Sequence, residues 1–268
     1  MKYKLIDEKE VDGIVLHQIR YCDGSLGGWI ETERNLDPES NALISDEACV
    51  FGNAHVSGNA RVYGDAFVFG NAYVYGNVLV SGKACVYGDA IVYDNARIHG
   101  NAFVYDNARV YGDAIVSDNA RVYGDAFVYG NAYVYDIAII SDNACVYGNA
   151  RVYGDAIVSD NARVYGDAII SGKASVHGNA FVYGNVCIFD DEWETSPLQI
   201  EGSRYFFSVS SKSHITVGCT TKTIADWLAM YKDEFGKYNF TEAKRKEYKL
   251  YFNLASTLYG WGVQLPLE

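Results

Sequence analysis

From Ile44 to Ile188 an aliphatic residue recurs every six positions without a slip. Position one is Val or Ile in all 24 hexads of this run, and position five is Ala in 22, with Val78 and Val186 in the other two. Position three is Gly in 17 and Asp in 7, and position four is mostly Asn or Asp, with Ile137 the one apolar exception. In each Ala-x-Val-x stretch the Ala and Val point to one side and their neighbours to the other, which is strand alternation. The Gly/Asp-Asn/Asp pair that follows is turn chemistry, because Gly tolerates positive φ and Asn or Asp can close an Asx-turn. Each hexad therefore predicts a very short strand followed by a corner. A helix is excluded, because a period of six carries successive valines around a 3.6-residue helix. Three hexads make an 18-residue triangular coil, so the run predicts an all-β solenoid of eight stacked coils, roughly 38 Å long at ~4.8 Å per rung.

The flanks lose the period, as the caps of a solenoid core must. Residues 1–43 predict a small β cap, with strands over Lys2–Leu5 and Ile14–Tyr21. Residues 44–189 form the repeat, and residues 190–268 predict an α+β cap. In the latter, Leu198–Ile200, Tyr205–Val209 and His214–Val217 read as strands. Thr223 and Thr241 read as N-caps of two helices, one from Ile224 to about Asp233 and one over Glu242–Leu258. The second helix is expected to bury Tyr248, Tyr251, Phe252, Ala255 and Leu258.

The regular hexads resemble those of the bacterial hexapeptide-repeat superfamily, and the resemblance implies a left-handed parallel β-helix. Gly27-Gly28-Trp29-Ile30-Glu31 with Asn35-Leu36 is similar to the opening segment of YdcK-like repeat proteins. Pro197-Leu198-Gln199-Ile200, Gly202-Ser203-Arg204, Val217-Gly218-Cys219 and Ile224-x-x-Trp227 are similar to a tail found on some of them. The resemblance implies a bacterial, phage or prophage source and a transferase label that leans on fold analogy.

Composition narrows the function. The net charge of −12 divides as −4, −6 and −2 over the three segments, so none is basic, and neither nucleic acid nor a membrane surface is an expected partner. No apolar run reaches the ~18–20 residues of a membrane span, and Met1-Lys2-Tyr3-Lys4 leads into an acidic stretch rather than a signal-peptide core. Six cysteines without a CxxC pair predict neither a disulfide framework nor a zinc site, and a cytosolic protein without cofactor or metal is expected.

Acyltransferases are common in the superfamily and usually place a catalytic His at a subunit interface, often beside a loop inserted into the coil. Here no loop interrupts the hexads. The solenoid histidines His55, His99 and His177 fall at outward positions with no shared 18-residue row. His99 and His177 remain weak catalytic candidates, because general-base work needs an oriented partner that the sequence does not reveal. Carbonic-anhydrase-like zinc binding lacks the necessary close His pair. His214 and Cys219 lie around one expected strand and are weighed as a thiol–imidazole pair, though a packed Cys is the simpler reading. Cys49 and Cys85 fall on one face two rungs apart, too far for a disulfide.

The outward positions carry the clearest signal. At 18-residue spacing Tyr75, Tyr93, Tyr111, Tyr129, Tyr147, Tyr165 and Tyr183 form an unbroken column. Beside it run Tyr73, Ile91, Arg109, Phe127, Cys145, Arg163 and Phe181. Such a stripe predicts a contact surface for a second copy or a protein partner, where Tyr and Arg are enriched. It is weighed against a ladder that only stiffens the sheet. The expected function is a non-catalytic scaffold or interaction module. The alternatives are an acyltransferase with an inter-subunit site and, third, a glycan-binding aromatic surface. Duplex mimicry is disfavoured, because the corner acids are scattered and interrupted by Arg.

Overall fold

The computed structural model describes residues 2–229 and 240–265. Two-residue strands recur every six residues from Leu43–Ile44 to Cys187–Ile188 and, together with three N-terminal strands and Glu192–Trp193, assemble into three sheets of twelve, nine and eight strands. Within the repeat every pairing is parallel and in register at 18 residues, such as Arg109↔Phe127 and Val110↔Val128. The chain is a β-solenoid, as the period predicts. The nine-stranded sheet carries a rung more than the eight-stranded one because the run's first and last strands, at Ile44 and Ile188, both lie in it.

The interior is two kinds of column. Every Val or Ile at position one, from Ile44 to Ile188, has no solvent exposure, and the Ala residues beside them are equally enclosed. Each coil bonds the next through backbone groups that recur in register, for example Arg109 N–H to Ala126 O at 2.9 Å, Tyr111 N–H to Val128 O at 3.0 Å and Asp113 N–H to Gly130 O at 2.8 Å. The corners need left-handed backbone, which is why position three is Gly or Asp. All seven aspartates there have φ between 55° and 62°, a region that costs an ordinary L-residue roughly 1 kcal/mol. They offset that strain through their carboxylates. Asp46, Asp94, Asp136 and Asp160 accept the corner N–H of Gly64, Gly112, Gly154 and Gly178, one coil on, at 2.9–3.2 Å. Position four adds a directional ladder. Asn131 Nδ2 donates to Asn149 Oδ1 at 3.0 Å, and Asn149 donates to Asp167 at 2.9 Å, where the relay ends because a carboxylate has no N–H to pass on.

The N-terminal segment is built onto this stack. Tyr3–Val11 and Ile14–Tyr21 form an antiparallel hairpin through Asp12-Gly13, both at positive φ as a two-residue hairpin turn requires. Leu26–Ile30 pairs antiparallel with the hairpin on one side and parallel with Cys49–Val50 on the other. Leu36 bridges Val56, so Ile30 and Leu36 already occupy two of the three core columns before the hexads begin at Ile44 in the third. Buried Asn35 secures this opening turn. Its Nδ2 donates to Gly52 O at 3.0 Å and Ala54 O at 2.9 Å, while its Oδ1 accepts the Thr32 N–H at 2.8 Å.

At the other end Glu192–Trp193 adds a final parallel rung on Ser175–Val176. An antiparallel sheet of Gln199–Glu201, Phe206–Ser211, His214–Val217 and Thr220–Thr223 follows. The last of these strands is absent from the sequence expectation, since a run of threonines and a lysine offers no apolar alternation. Thr223 Oγ1 accepts the Asp226 N–H at 3.1 Å, and 224–229 are helical; the rest of that expected helix lies outside the described residues. The helix Glu242–Leu258 is capped by Thr241 and buries Tyr248, Phe252, Ala255 and Ser256. Leu258 does not join them. It is 61% exposed, in a stripe with Leu250 and Leu254 on the opposite side of the helix, because the buried face is set by contact with Phe207 and Trp227.

Candidate functional site: the tyrosine face

The seven column tyrosines are brought together as predicted, and their geometry is specific. From Tyr75 to Tyr183 successive rings stack nearly parallel, with centroids 4.7–5.5 Å apart and interplanar angles of 0–17°. The spacing of the rings is the spacing of the rungs. Each inner ring therefore spends its two faces on its neighbours and presents an edge and a hydroxyl outward. Only the end members Tyr75 and Tyr183 are exposed; the five between them are half-buried. This changes the expected surface, which is a ridge of phenol edges rather than a row of open ring faces. Ring faces covered by other rings cannot stack on sugars, so the geometry lends no support to glycan binding here.

The adjacent column stands at the strand positions of the same sheet. Tyr73 and Phe181 are its exposed ends, at 50% and 39%. Arg109 lies over the Phe127 ring at 5.4 Å and Arg163 over Phe181 at 5.5 Å, so each guanidinium covers the ring one coil further on. Burial raises the phenol pKa of four inner members of the ladder. Tyr111 is pushed up to about 12, first by burial and then by Tyr93 and Tyr129, with Arg109 opposing. Tyr93, Tyr129 and Tyr147 move the same way, burial again leading. A second stack, Phe51–Phe69–Tyr87–Tyr105–Tyr123, follows another sheet, with centroids 4.8–5.0 Å apart.

The histidines are not gathered. His55 Nδ1 lies 2.8 Å from the Arg34 carbonyl oxygen, a packing contact at the N-terminal end. His99 is exposed beside Ser117 and Asp118. His177 Nδ1 is 3.8 Å from Asp160 Oδ2, a carboxylate that also holds the corner amide of Gly178. That partner was legible in principle, because residues 17 apart place position three of one coil beside position two of the next. His214 and Cys219 are not a pair. His214 is the first residue of the His214–Val217 strand and Cys219 lies two residues past its other end, and His214 Nδ1 is engaged by Ser211 Oγ at 2.8 Å and Ser213 Oγ at 3.0 Å. Among the described residues no group of three or more His, Cys, Asp or Glu is placed to hold a metal ion. Nor is any helix among them long and apolar enough to cross a membrane.

The fold and its corner chemistry define a hexapeptide-repeat β-solenoid protein. Residues 84–100, 102–118, 146–160, 150–164 and 162–178 match the family described as YdcK Beta solenoid repeat, so the repeats over this stretch are YdcK-like. No curated protein matches it.

Proposed function

We propose that this protein is a non-catalytic scaffold that associates through its tyrosine face with a second copy of itself or with a protein partner. The observation that carries the reading is the unbroken seven-ring column flanked by the aromatic, aliphatic and Arg side chains of one sheet. A strip of seven rungs is ~30 Å long at the rung spacing. Two columns of side chains make it about 300–450 Å² per protomer, the size of a weak and reversible contact rather than of an obligate one. Tyr and Arg are the residue types that dominate such contacts, and an isologous pair around a two-fold axis would cover both strips at once. Sedimentation velocity over a concentration series tests the reading. Tyr111→Asp with Tyr147→Asp should leave the circular dichroism intact, because both side chains lie outside the core, and should abolish the association. A wild-type protein that stays monomeric at high micromolar concentration and retains no partner from its native cell would reduce the ladder to a stiffener of the sheet.

A second reading has one observation in its favour. His177 with Asp160 resembles an oriented base, which an acyltransferase with an inter-subunit site would need. Calorimetry with acetyl-CoA separates the two readings. Saturable binding accompanied by acetyl transfer that His177→Ala removes would support the enzyme; heats at the level of dilution support the scaffold.

A further inference from the structure

The third outward column is interrupted at single rungs, Tyr63, Ser81, His99, Ser117, Tyr135, Tyr153, Ser171, Phe189, whereas the column from Phe51 lacks rings on two successive rungs, Ser141 and Ser159, before His177. Tyr135 and Tyr153 stack at 4.8 Å with their planes 11° apart. On the rung before Tyr135 the ring is missing, and the Ser117 hydroxyl instead turns to Asp118 Oδ2 at 3.0 Å. The result is an open cavity of about 540 Å³ lined by His99, Tyr135, Ser117, Asp118, Ile115, Tyr133 and Arg151, with Ser117 buried and Asp118 exposed. We propose that this gap is a binding slot for a small molecule consisting of a planar aromatic ring that carries a cationic amine.

Two features of the slot set that chemistry. The first is spacing. His99 and Tyr135 are two rungs apart, ~9.6 Å by the strand interval, so a ring seated midway lies ~4.8 Å from each. That is the interval at which the protein stacks its own tyrosines. A bound ring completes the column as an eighteenth-residue tyrosine would. The second is charge. The groups acting on Tyr135 include the carboxylates of Asp136 and Asp118 against the single guanidinium of Arg151, and the whole chain carries −12. An arylalkylamine is favoured over an aryl carboxylate by that balance. The gaps at Ser81 and Ser171 are each followed by Gly and Lys, Gly82-Lys83 and Gly172-Lys173, and have no carboxylate at the corner, so Ser81 serves as an internal control.

Calorimetry with tryptamine and with indole-3-acetate on the full chain tests the proposal. The wild type should bind tryptamine saturably and more tightly than indole-3-acetate. Ser117→Tyr should fill the slot with a stacked ring, preserve or raise the melting temperature, and weaken tryptamine by at least about tenfold. Asp118→Asn, which keeps a residue tolerant of left-handed backbone, should erase the preference for the amine. Ser81→Tyr should change neither ligand's affinity. Absence of saturable tryptamine binding to the wild type, or equal affinity in a folded Ser117→Tyr variant, overturns the proposal. An unchanged preference in Asp118→Asn overturns its electrostatic half.

Discussion

The side-chain amide of Gln199 stands in for a peptide group above Tyr183: its Oε1 accepts the Tyr183 N–H at 2.8 Å, and its Nε2 donates to the Phe181 carbonyl at 2.6 Å. Ser196 Oγ completes the substitution by accepting the Phe181 N–H at 2.9 Å. The last rung of the eight-stranded sheet thus meets side chains that copy the next rung. At the opposite end the Tyr21 hydroxyl plays the same part for the nine-stranded sheet, donating to Ile44 O at 3.0 Å and accepting Ile44 N–H at 2.8 Å. Open sheet edges recruit other strands, and these contacts close them.

Gln199→Leu should therefore do more than lower stability. Losing both amide contacts hands two exposed backbone groups of the terminal rung to water, at a cost of about 0.5–1.5 kcal/mol. Urea denaturation reads the loss. Light scattering should show end-to-end aggregation absent from the wild type.

Core columns are expected to be intolerant of charge. Val110 and Val128 have no exposure and no polar neighbour in their column. Val110→Asp should cost more than about 5 kcal/mol, comparable with the entire stability of a domain. The expected outcome is insoluble or unfolded protein by circular dichroism, and a soluble variant with wild-type melting would contradict the buried-column arrangement.

Corner aspartates separate backbone strain from hydrogen bonding. Asp94 has φ 62° and accepts the Gly112 N–H at 3.2 Å. Asp94→Gly removes both the strain and the bond, so its effect should stay within about 0.5 kcal/mol. Asp94→Ala keeps the strain and loses the bond, and should destabilise by about 1–2 kcal/mol. Equal denaturation midpoints for the two variants would refute this account of the corners.

The tyrosine ladder should make the protein sensitive to alkali. Tyr111 holds its proton up to about pH 12 in the folded state, whereas an unfolded tyrosine releases it near 10. Stability from this group is complete below pH 10 and is lost as pH rises from there toward 12, because the unfolded chain ionises first. Tyr111→Phe removes its share of that slope. Ultraviolet titration of the phenolates should show late ionisation of Tyr93, Tyr111, Tyr129 and Tyr147 in the native protein, and melting temperatures across the same range should fall less steeply in the variant.

Most of the architecture was legible in residue order, for a physical reason. A hexad contains its own strand and its own corner, so a local pattern repeated every six residues determines which side chains enter the core and which share an outward column. Val110 above Val92, Tyr111 above Tyr93 and Cys85 two rungs from Cys49 all follow from counting by 18. Contacts that break the count were decided by tertiary structure. Gln199 finds Phe181 and Tyr183 only because the chain leaves the coil and returns across its end, and Tyr21 reaches Ile44 from a hairpin outside the repeat. Leu258 faces solvent because Phe207 and Trp227 select the buried side of its helix, a choice that the helix sequence shares between two apolar stripes. Counting also places the seven tyrosines in a column but not the orientation of their rings. That follows from the rung spacing, which is close enough for flat rings to stack and so turns an expected apolar strip into a ridge of edges and hydroxyls.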